Sequence, residues 1–477
     1  MTLSSYNFVL LFLPAVMIGF YLLLGKAKAN INIIWGWLIA ASLVFYACDI
    51  PGYLLLLGAD VAVNYALARY LARKKNRIVL GAGIILHVLL LFLFKYLNFG
   101  IDISNMLLHT NFSIVHLAAP MGISFITFQQ IAFLVDTYRE QEEPICSPVE
   151  YLLFVTFFPR IISGPIITKK EFIPLLRRGE GIDWDRLASG IQMFLMGFGK
   201  KVLIADFLAK GVDYGYAHLD SVNSTTALCI SVLYTLQIYF DFSGYSDMAM
   251  GVARMLQLDL PVNFNSPYKA VTIAEFWDRW HMTLTGFLTR YVYIPLGGSR
   301  RGKVRTYVNI LIVFLISGLW HGASYTFILW GLFHGIFMVL TRRFDALVKK
   351  IPRWINHTVT LLFVNFTWVL FRANSLGTVR DYVLALLKND WGGIDENVTG
   401  AMLPSFVERL VWDGLPYWVV PVILVMCIIW AVLFMENTFE QVEKGQFTWK
   451  RMLLLLAIGL LGIMSMSGTS TFIYAYF

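Results

Sequence analysis

Long apolar runs alternate with short polar segments along almost the whole chain. A helix that crosses a bilayer needs about 20 mostly apolar residues. Runs of this kind occur at 8–24, 31–47, 78–94, 114–135, 188–203, 225–240, 307–340, 359–370, 418–434 and 452–464, with shorter or amphipathic candidates at 53–71, 151–162 and 273–288. The pattern predicts an all-α, polytopic integral membrane protein. We expect roughly ten to thirteen membrane helices, including short, re-entrant or interfacial ones, around a central funnel.

The apolar run at 307–340 is too long for one membrane-spanning helix and shorter than two full-length spans require. Cations flank it on both sides: Arg300, Arg301, Lys303 and Arg305 before it, Arg342 and Arg343 after it. This arrangement predicts a helical hairpin with both ends in the cytoplasm and its turn at 317–324. His321 lies in that turn, and an ionisable group inside an apolar segment often marks function. We expect its side chain to project into a cavity.

A second segment, 272–288, has helical periodicity but is too polar to span. Thr272 and Glu275 have the spacing of a capping box, which predicts a helix start. The pattern favours one helix at the interface or inside the protein. His281 falls at the edge of its apolar face, where we expect a half-buried side chain.

Composition and charge support a membrane protein. The chain is 58% hydrophobic and 14% charged, whereas soluble chains average about 25% charged residues. Cations in short loops mark the cytoplasmic side of membrane proteins. This rule explains the net charge of +8, so the charge does not indicate nucleic-acid binding. The cytoplasmic clusters are Lys26 with Lys28, 73–77, Lys169 with Lys170, Lys200 with Lys201, 300–305 and 342–353. Segments 96–113 and 389–416, and the N-terminus, are expected outside, with the first run retained as a span.

Little divides the chain or points to a bound cofactor. No repeat, long linker, P-loop, dinucleotide fingerprint or metal-ligand cluster is visible, so residues 1–477 are interpreted as one multi-pass domain without a bound cofactor or metal. The cysteines Cys48, Cys146, Cys229 and Cys427 lie far apart and are interpreted as packing residues.

Five motifs occur in order in the second half of the chain. They are Tyr-Phe-Asp-Phe-Ser-Gly-Tyr-Ser-Asp-Met-Ala at 239–249, Asn-Phe-Asn-Ser-Pro-Tyr at 263–268, Glu-Phe-Trp through Trp-His at 275–281, Tyr-Ile-Pro-Leu-Gly-Gly at 293–298 and Trp-His-Gly at 320–322. With them the chain resembles the membrane-bound O-acyltransferase (MBOAT) family. Within it, the bacterial alginate and peptidoglycan O-acetylation membrane proteins are the most similar, and the teichoic acid D-alanylation component is more distant. Where these relatives usually have Arg-Asp-Tyr, this chain has Thr-Arg-Tyr at 289–291, which leaves the acceptor or partner open.

The resemblance implies transfer of an acyl group from acetyl-CoA, or another cytoplasmic thioester, to an extracytoplasmic hydroxyl. We expect an enzyme of the bacterial cytoplasmic membrane that serves O-acetylation of an envelope polysaccharide. Its partners would be the bilayer, the thioester donor and either the polysaccharide or an extracytoplasmic acetyltransferase. Residues 300–305 are a candidate patch for coenzyme A phosphates.

The chemistry of acyl transfer suggests roles for two histidines. A hydroxyl nucleophile needs a base, and the carbonyl oxygen needs a donor. His321 is the hypothesised general base, and His281 is hypothesised to orient substrate or polarise the carbonyl. Supporting or substrate-binding candidates are Asp241, Ser243, Tyr245, Trp277, Arg279, Trp280 and Trp320. Asp241 and Asp247 can pair with Arg254 or Arg279, and His334 is expected to pack.

Three alternatives remain open at this point. D-alanyl transfer toward teichoic acid would use a carrier-protein thioester as donor. A proton-coupled transporter would use the histidines as a relay, although transporters often contain paired half-repeats, which this chain lacks. A membrane scaffold would tolerate replacement of His281 and His321.

Overall fold

The computed structural model describes residues 1–25, 31–140, 146–177, 181–402, 418–445, 448–466 and 473. Lys26, Lys28 and residues 403–416, which enter the predicted topology, lie outside these ranges. Strands are absent from the described residues, which confirms the all-α prediction. The helices are α1 (Leu13–Leu24), α2 (Ile31–Ala47), α3 (Tyr53–Arg73), α4 (Arg77–Leu91), α5 (Leu97–Leu108), α6 (Ile123–Arg139), α7 (Pro148–Thr156), α8 (Lys169–Arg177), α9 (Trp184–Gly199), α10 (Asp206–Ala217), α11 (Ser224–Met255), α12 (Ile273–Arg279), α13 (Met282–Leu288), α14 (Lys303–His321), α15 (Tyr325–Arg343), α16 (Asp345–Val348), α17 (Arg353–Arg372), α18 (Leu376–Leu387), α19 (Glu396–Met402), α20 (Val419–Phe434), α21 (Thr438–Lys444) and α22 (Trp449–Ser465).

Seven helical segments of the described chain are long and apolar enough to cross a membrane. They are Asn7–Leu24, Tyr53–Arg73, Arg77–Leu108, Ser224–Met255, Lys303–His321, Tyr325–Arg343 and Arg353–Arg372. The pair α20 and α21, bent by 62°, makes an eighth if it is one broken span, and α2 is a shorter apolar helix. These spans confirm a multi-pass membrane protein. The predicted count of ten to thirteen membrane elements is not confirmed.

The described residues form two compact units. One contains Met1–Met196, Tyr245–Val262 and Met466–Phe477. The other contains Gly197–Gly244 and Asn263–Ser465, and therefore both histidines of the predicted site.

The predicted run at 114–135 begins as a helix only at Ile123. Gly122 precedes it with φ 73°, a left-handed conformation that glycine adopts without a steric penalty. A Cβ at this position would also collide with the Ile161 carbonyl oxygen. Hydropathy alone could not place this boundary, because the residues before it are apolar as well.

The predicted hairpin at 307–340 is present. Helices α14 and α15 pack along their lengths and are joined by Gly322–Ser324, with the Ser324 side chain accepting a hydrogen bond from the Thr326 backbone N–H at 3.3 Å. The two helices approach closely at Gly318 and Gly331. A Cβ on Gly318 would collide with the Phe327 carbonyl oxygen, and one on Gly331 with the Phe314 carbonyl oxygen.

The prediction of one helix over 272–288 was wrong. Thr272 does cap a helix start by accepting from the Glu275 backbone N–H at 3.2 Å, but α12 ends at Arg279 and α13 begins at Met282. The break falls at His281, whose φ of 45° is left-handed. The helical periodicity of the apolar residues continues through the break, so the sequence pattern did not reveal where the helix is interrupted.

Replacing Gly331 with alanine should separate α14 from α15. Because the new methyl group meets backbone rather than a flexible side chain, we expect a loss of about 1–3 kcal/mol in the free energy of unfolding, the usual cost of overpacking. Thermal unfolding of the detergent-purified protein measures the loss. Gly36→Ala is the matched control, since a Cβ there meets nothing within 4 Å. Equal stability of both variants would contradict the close approach.

Candidate active site

His321 is the last residue of α14 and lies at the closed end of the hairpin. Its side chain is enclosed by aromatic rings: the ring-centre distances are 4.9 Å to Trp320, 5.2 Å to Trp330 and 5.1 Å to Phe371. The residue is 2% exposed. His321 is therefore packed inside the protein, whereas the sequence predicted a side chain projecting into a cavity.

His281 is held in an unusual backbone conformation between α12 and α13. A positive φ is uncommon for a residue other than glycine, and such strain clusters at functional sites. The residue is 0% exposed, so the expectation of a half-buried side chain was wrong. Its Nδ1 lies 3.0 Å from Oδ1 of Asn263.

The contacts of Asn263 define the tautomer of His281. Asn263 Oδ1 also accepts from the backbone N–H and the hydroxyl of Thr283, at 3.3 and 2.9 Å. An amide oxygen cannot donate, so the hydrogen of the contact with His281 is on Nδ1. In the neutral ring the lone pair is then on Nε2. Burial lowers the pKa of His281 to about 3, which keeps this ring neutral near pH 7.

Trp320 lies between the two histidines. Its ring is 6.2 Å from that of His281 and 4.9 Å from that of His321, centre to centre. Phe242 packs edge-on against His281 at 4.7 Å. The fold therefore brings together three of the predicted residues, His281, Trp320 and His321, from α14 and the α12–α13 break.

Trp277 and Trp280 join the same aromatic cluster from α12. Trp277 packs against Trp330 at 5.7 Å, and Trp280 against Trp368 at 4.9 Å. Trp330 and Trp368 themselves stack at 6.1 Å. The predicted site residues did not include Trp330, Trp368 or Asn263, although Asn263 lies in one of the five motifs. The spacing of apolar residues within α15 and α17 does not predict that the indoles of Trp330 and Trp368 contact α12.

Asp241 belongs to a buried ion-pair cluster. Lys201 Nζ lies 2.6 Å from Asp241 Oδ1 and 2.7 Å from Asp206 Oδ1, and the Lys201 and Asp241 side chains are each 2% exposed. Burial lowers the pKa of Lys201, but the two carboxylates outweigh this effect and raise it above its ordinary value. Lys201 was predicted to belong to a cytoplasmic cationic cluster, and its side chain lies in this buried group of charges.

The two arginines suggested as partners for Asp241 and Asp247 each lie beside another acidic residue. Arg279 pairs with Glu275 at 2.9 Å, and Arg254 with Asp259 at 3.4 Å. Ser243 is buried on α11, and Tyr245 is buried in the other compact unit.

A pocket of about 270 Å³ lies beside the aromatic cluster. Ile310, Phe314 and Ser317 of α14 line one side, Trp277 lines another, and Arg342 stands at the cationic end of α15. Ile310 to Ser317 covers about 10 Å of helix at 1.5 Å per residue. The pocket therefore extends from the open end of the hairpin towards the histidine end.

Comparison with known proteins identifies the family. Residues 106–378 match the membrane-bound O-acyltransferase family, a range that includes both histidines and all five motifs. The chain belongs to the MBOAT family. A peptidoglycan O-acetyltransferase of Helicobacter pylori is 36% identical over 98% of this chain and 96% of its own length. A probable alginate O-acetylase of Pseudomonas aeruginosa is 37% identical over 79% of this chain and 73% of its own.

A more distant relative is the teichoic acid D-alanyltransferase of Bacillus subtilis, at 26% identity over 75% of this chain and 92% of its own. Membership in the MBOAT family makes this protein an O-acyltransferase. The scaffold and transporter alternatives are thereby set aside. Groups of three or more potential metal ligands do not occur in the described part of this MBOAT chain.

Replacing Lys201 with methionine should strongly destabilise the protein. The change leaves the Asp241 carboxylate buried without its cation, and breaking one side of a buried pair costs about 3–5 kcal/mol. Adding Asp241→Asn to Lys201→Met should recover part of this loss in thermal unfolding. The control is Lys349→Met, whose exposed pair with Asp345 should contribute about 0–1 kcal/mol. A double variant no more stable than Lys201→Met would argue against the pair.

The lowered pKa of His281 predicts a loss of stability in acid. The unfolded chain takes up a proton near pH 6.5, whereas the folded ring stays neutral down to about 3. This contribution to stability is therefore complete above pH 6.5 and falls as the pH decreases towards 3, by up to about 1.4 kcal/mol per pH unit.

The variant for this test is His281→Asn, which tolerates positive φ and offers an N–H to Asn263 but cannot be charged. Melting temperatures at pH 7 and pH 5 should differ less in the variant than in the parent protein. An equal difference in both proteins would assign the acid sensitivity to other groups.

Proposed function

We propose that this MBOAT protein transfers an acetyl group from a cytoplasmic thioester, acetyl-CoA, to a hydroxyl of an envelope polysaccharide or of an extracytoplasmic partner transferase. The observation that carries the proposal is the buried cluster of His281, Trp320 and His321 at the closed end of an apolar hairpin whose open end is cationic. The membrane is the bacterial cytoplasmic membrane. Its cytoplasmic face lies at the open end, in accordance with the positive-inside rule.

The names of the relatives support the acetyl group and the class of acceptor. A peptidoglycan O-acetyltransferase covers almost the whole chain at 36% identity, and a probable alginate O-acetylase covers most of it at 37%. The D-alanyl relative is less similar, at 26%. O-acetylation is therefore favoured over D-alanyl transfer, whose donor would be a carrier-protein thioester.

The pocket beside α14 suits an elongated donor with an anionic end. Arg342 lies at one end of the pocket and apolar or aromatic side chains line the rest. The exposed cations Arg300, Arg301 and Lys303 belong to the same end of the hairpin, where α14 begins. In this arrangement the phosphates of coenzyme A bind the cations, and the thioester extends along α14 towards the aromatic cluster.

The proposed reaction forms one bond and breaks one. The acceptor oxygen attacks the thioester carbonyl carbon, a C–O bond forms, and the C–S bond breaks. His321 takes the proton of the hydroxyl, and the thiolate leaves and is protonated to the free thiol. His281, with its lone pair on Nε2, orients the acceptor by accepting a hydrogen bond from a second, neighbouring hydroxyl; a neutral ring of this tautomer has no N–H left for the carbonyl. The enclosing aromatic rings exclude water that would hydrolyse the thioester.

Replacement of His321 with alanine should abolish most transfer. Loss of a general base typically lowers the rate by about 10²–10⁴-fold. The measurement is the O-acetyl ester content of the cell envelope, together with transfer from radiolabelled acetyl-CoA by the purified protein. Membrane protein level is determined in parallel, and His116→Ala, an exposed histidine, is the control. Retained ester at normal protein level would refute the base role of His321.

A further inference from the structure

Helix α15 contains two buried N–H donors for which the described part of the chain provides no acceptor. Trp330 and His334 are each 0% exposed. Neither Nε1 of Trp330 nor Nε2 of His334 has a hydrogen-bond partner among the residues that the structure describes. Most buried polar groups of native proteins are hydrogen-bonded, so each exception calls for an explanation. Because these two exceptions lie one helical turn apart, a single explanation should account for both.

The tautomer of His334 follows from its contact with Trp277. The indole N–H of Trp277 lies 3.3 Å from Nδ1 of His334. Because an indole nitrogen can only donate, Nδ1 holds the lone pair. The neutral ring then carries its hydrogen on Nε2. Both orphaned atoms are thus donors, and both require an acceptor.

The two donors lie between the pocket and the proposed base. The ring of His334 is 5.1 Å from that of Trp277 and 6.0 Å from that of Phe314, two residues that line the pocket. The ring of Trp330 is 4.8 Å from that of His334 and 5.2 Å from that of His321. A continuous row of contacts therefore runs from the pocket wall through His334 and Trp330 to His321.

We propose that the N–H groups of Trp330 and His334 bind carbonyl oxygens of the acyl donor as its acyl end passes from the pocket to His321. The inference rests on the proposed function. A ligand here must supply neutral hydrogen-bond acceptors and otherwise be apolar, because aromatic rings surround both donors. The thioester carbonyl and the amide carbonyls of an acyl-pantetheine chain have this chemistry. A free phosphate is charged and a sugar carries many hydroxyl groups, so neither matches these apolar surroundings.

The first variant is Trp330→Phe, which keeps an aromatic ring and removes only the N–H donor and part of the indole. Losing a neutral hydrogen bond to the donor should raise the KM for acetyl-CoA about 3–10-fold, with a smaller change in kcat. His334→Asn should act similarly, since its side-chain oxygen can still accept from Trp277. Transfer from acetyl-CoA by the purified protein provides both constants.

The matched control is Trp368→Phe. Trp368 is equally buried and stacks on Trp330, but its N–H already donates to the Tyr268 hydroxyl at 3.2 Å. The control should therefore lose stability and keep its KM. Trp330→Phe should show a higher KM and a smaller loss of melting temperature than the control, because the lost packing is partly offset by removal of an unsatisfied donor.

The outcomes separate the inference from the function on which it rests. If the parent protein transfers acetyl from acetyl-CoA and Trp330→Phe has an unchanged KM, the donors serve water or packing and the inference is overturned. If the parent protein transfers nothing from acetyl-CoA but does so from a carrier-protein thioester, the proposed donor is wrong. A KM that rises equally in Trp330→Phe and Trp368→Phe would indicate general damage to the aromatic cluster and also overturn the inference.

Discussion

The close approach of α14 and α15 at Gly318 and Gly331 is the constraint on which the site depends. A Cβ on Gly318 would lie 3.4 Å from the Cα of Gly331, besides colliding with the Phe327 carbonyl oxygen. In a bilayer, helices associate by packing, and small residues permit the closest contact. The contact places the end of α14, and with it His321, against Trp330 on α15. Trp330 in turn contacts α12 and α17, so the whole aromatic cluster is arranged around this hairpin.

Burial then determines what the polar groups can do. His281 has no access to water, and its hydrogen bond to Asn263 fixes both its tautomer and the direction in which it can act. Asp241 is buried as well, but its charge is matched by Lys201. One buried group is thus kept neutral and the other is kept paired. These are the two solutions available to ionisable groups at low dielectric.

The enclosure of His321 also suits a thioester. Water competes with a hydroxyl acceptor for the same carbonyl, so a site that admits water would hydrolyse the thioester instead of transferring its acyl group. Trp320, Trp330 and Phe371 surround the imidazole and exclude water without adding charge. In the proposed transfer, the donor and the acceptor arrive from opposite aqueous compartments, and this enclosure separates the two.

The sequence by itself determined the fold class, the hairpin at 307–340 and the family. Long apolar runs in a chain need internal hydrogen bonding, which helices supply, and five motifs in order are specific to a family. It also singled out His281 and His321. It did not reveal the break at His281, because residues on both sides follow the same helical period. Nor did it reveal Asn263, Lys201, Trp330 and Trp368 as partners, since they come from elements distant in the chain. Those pairings, the tautomers and the exclusion of water depend on which helix faces meet, and only the tertiary structure decides that.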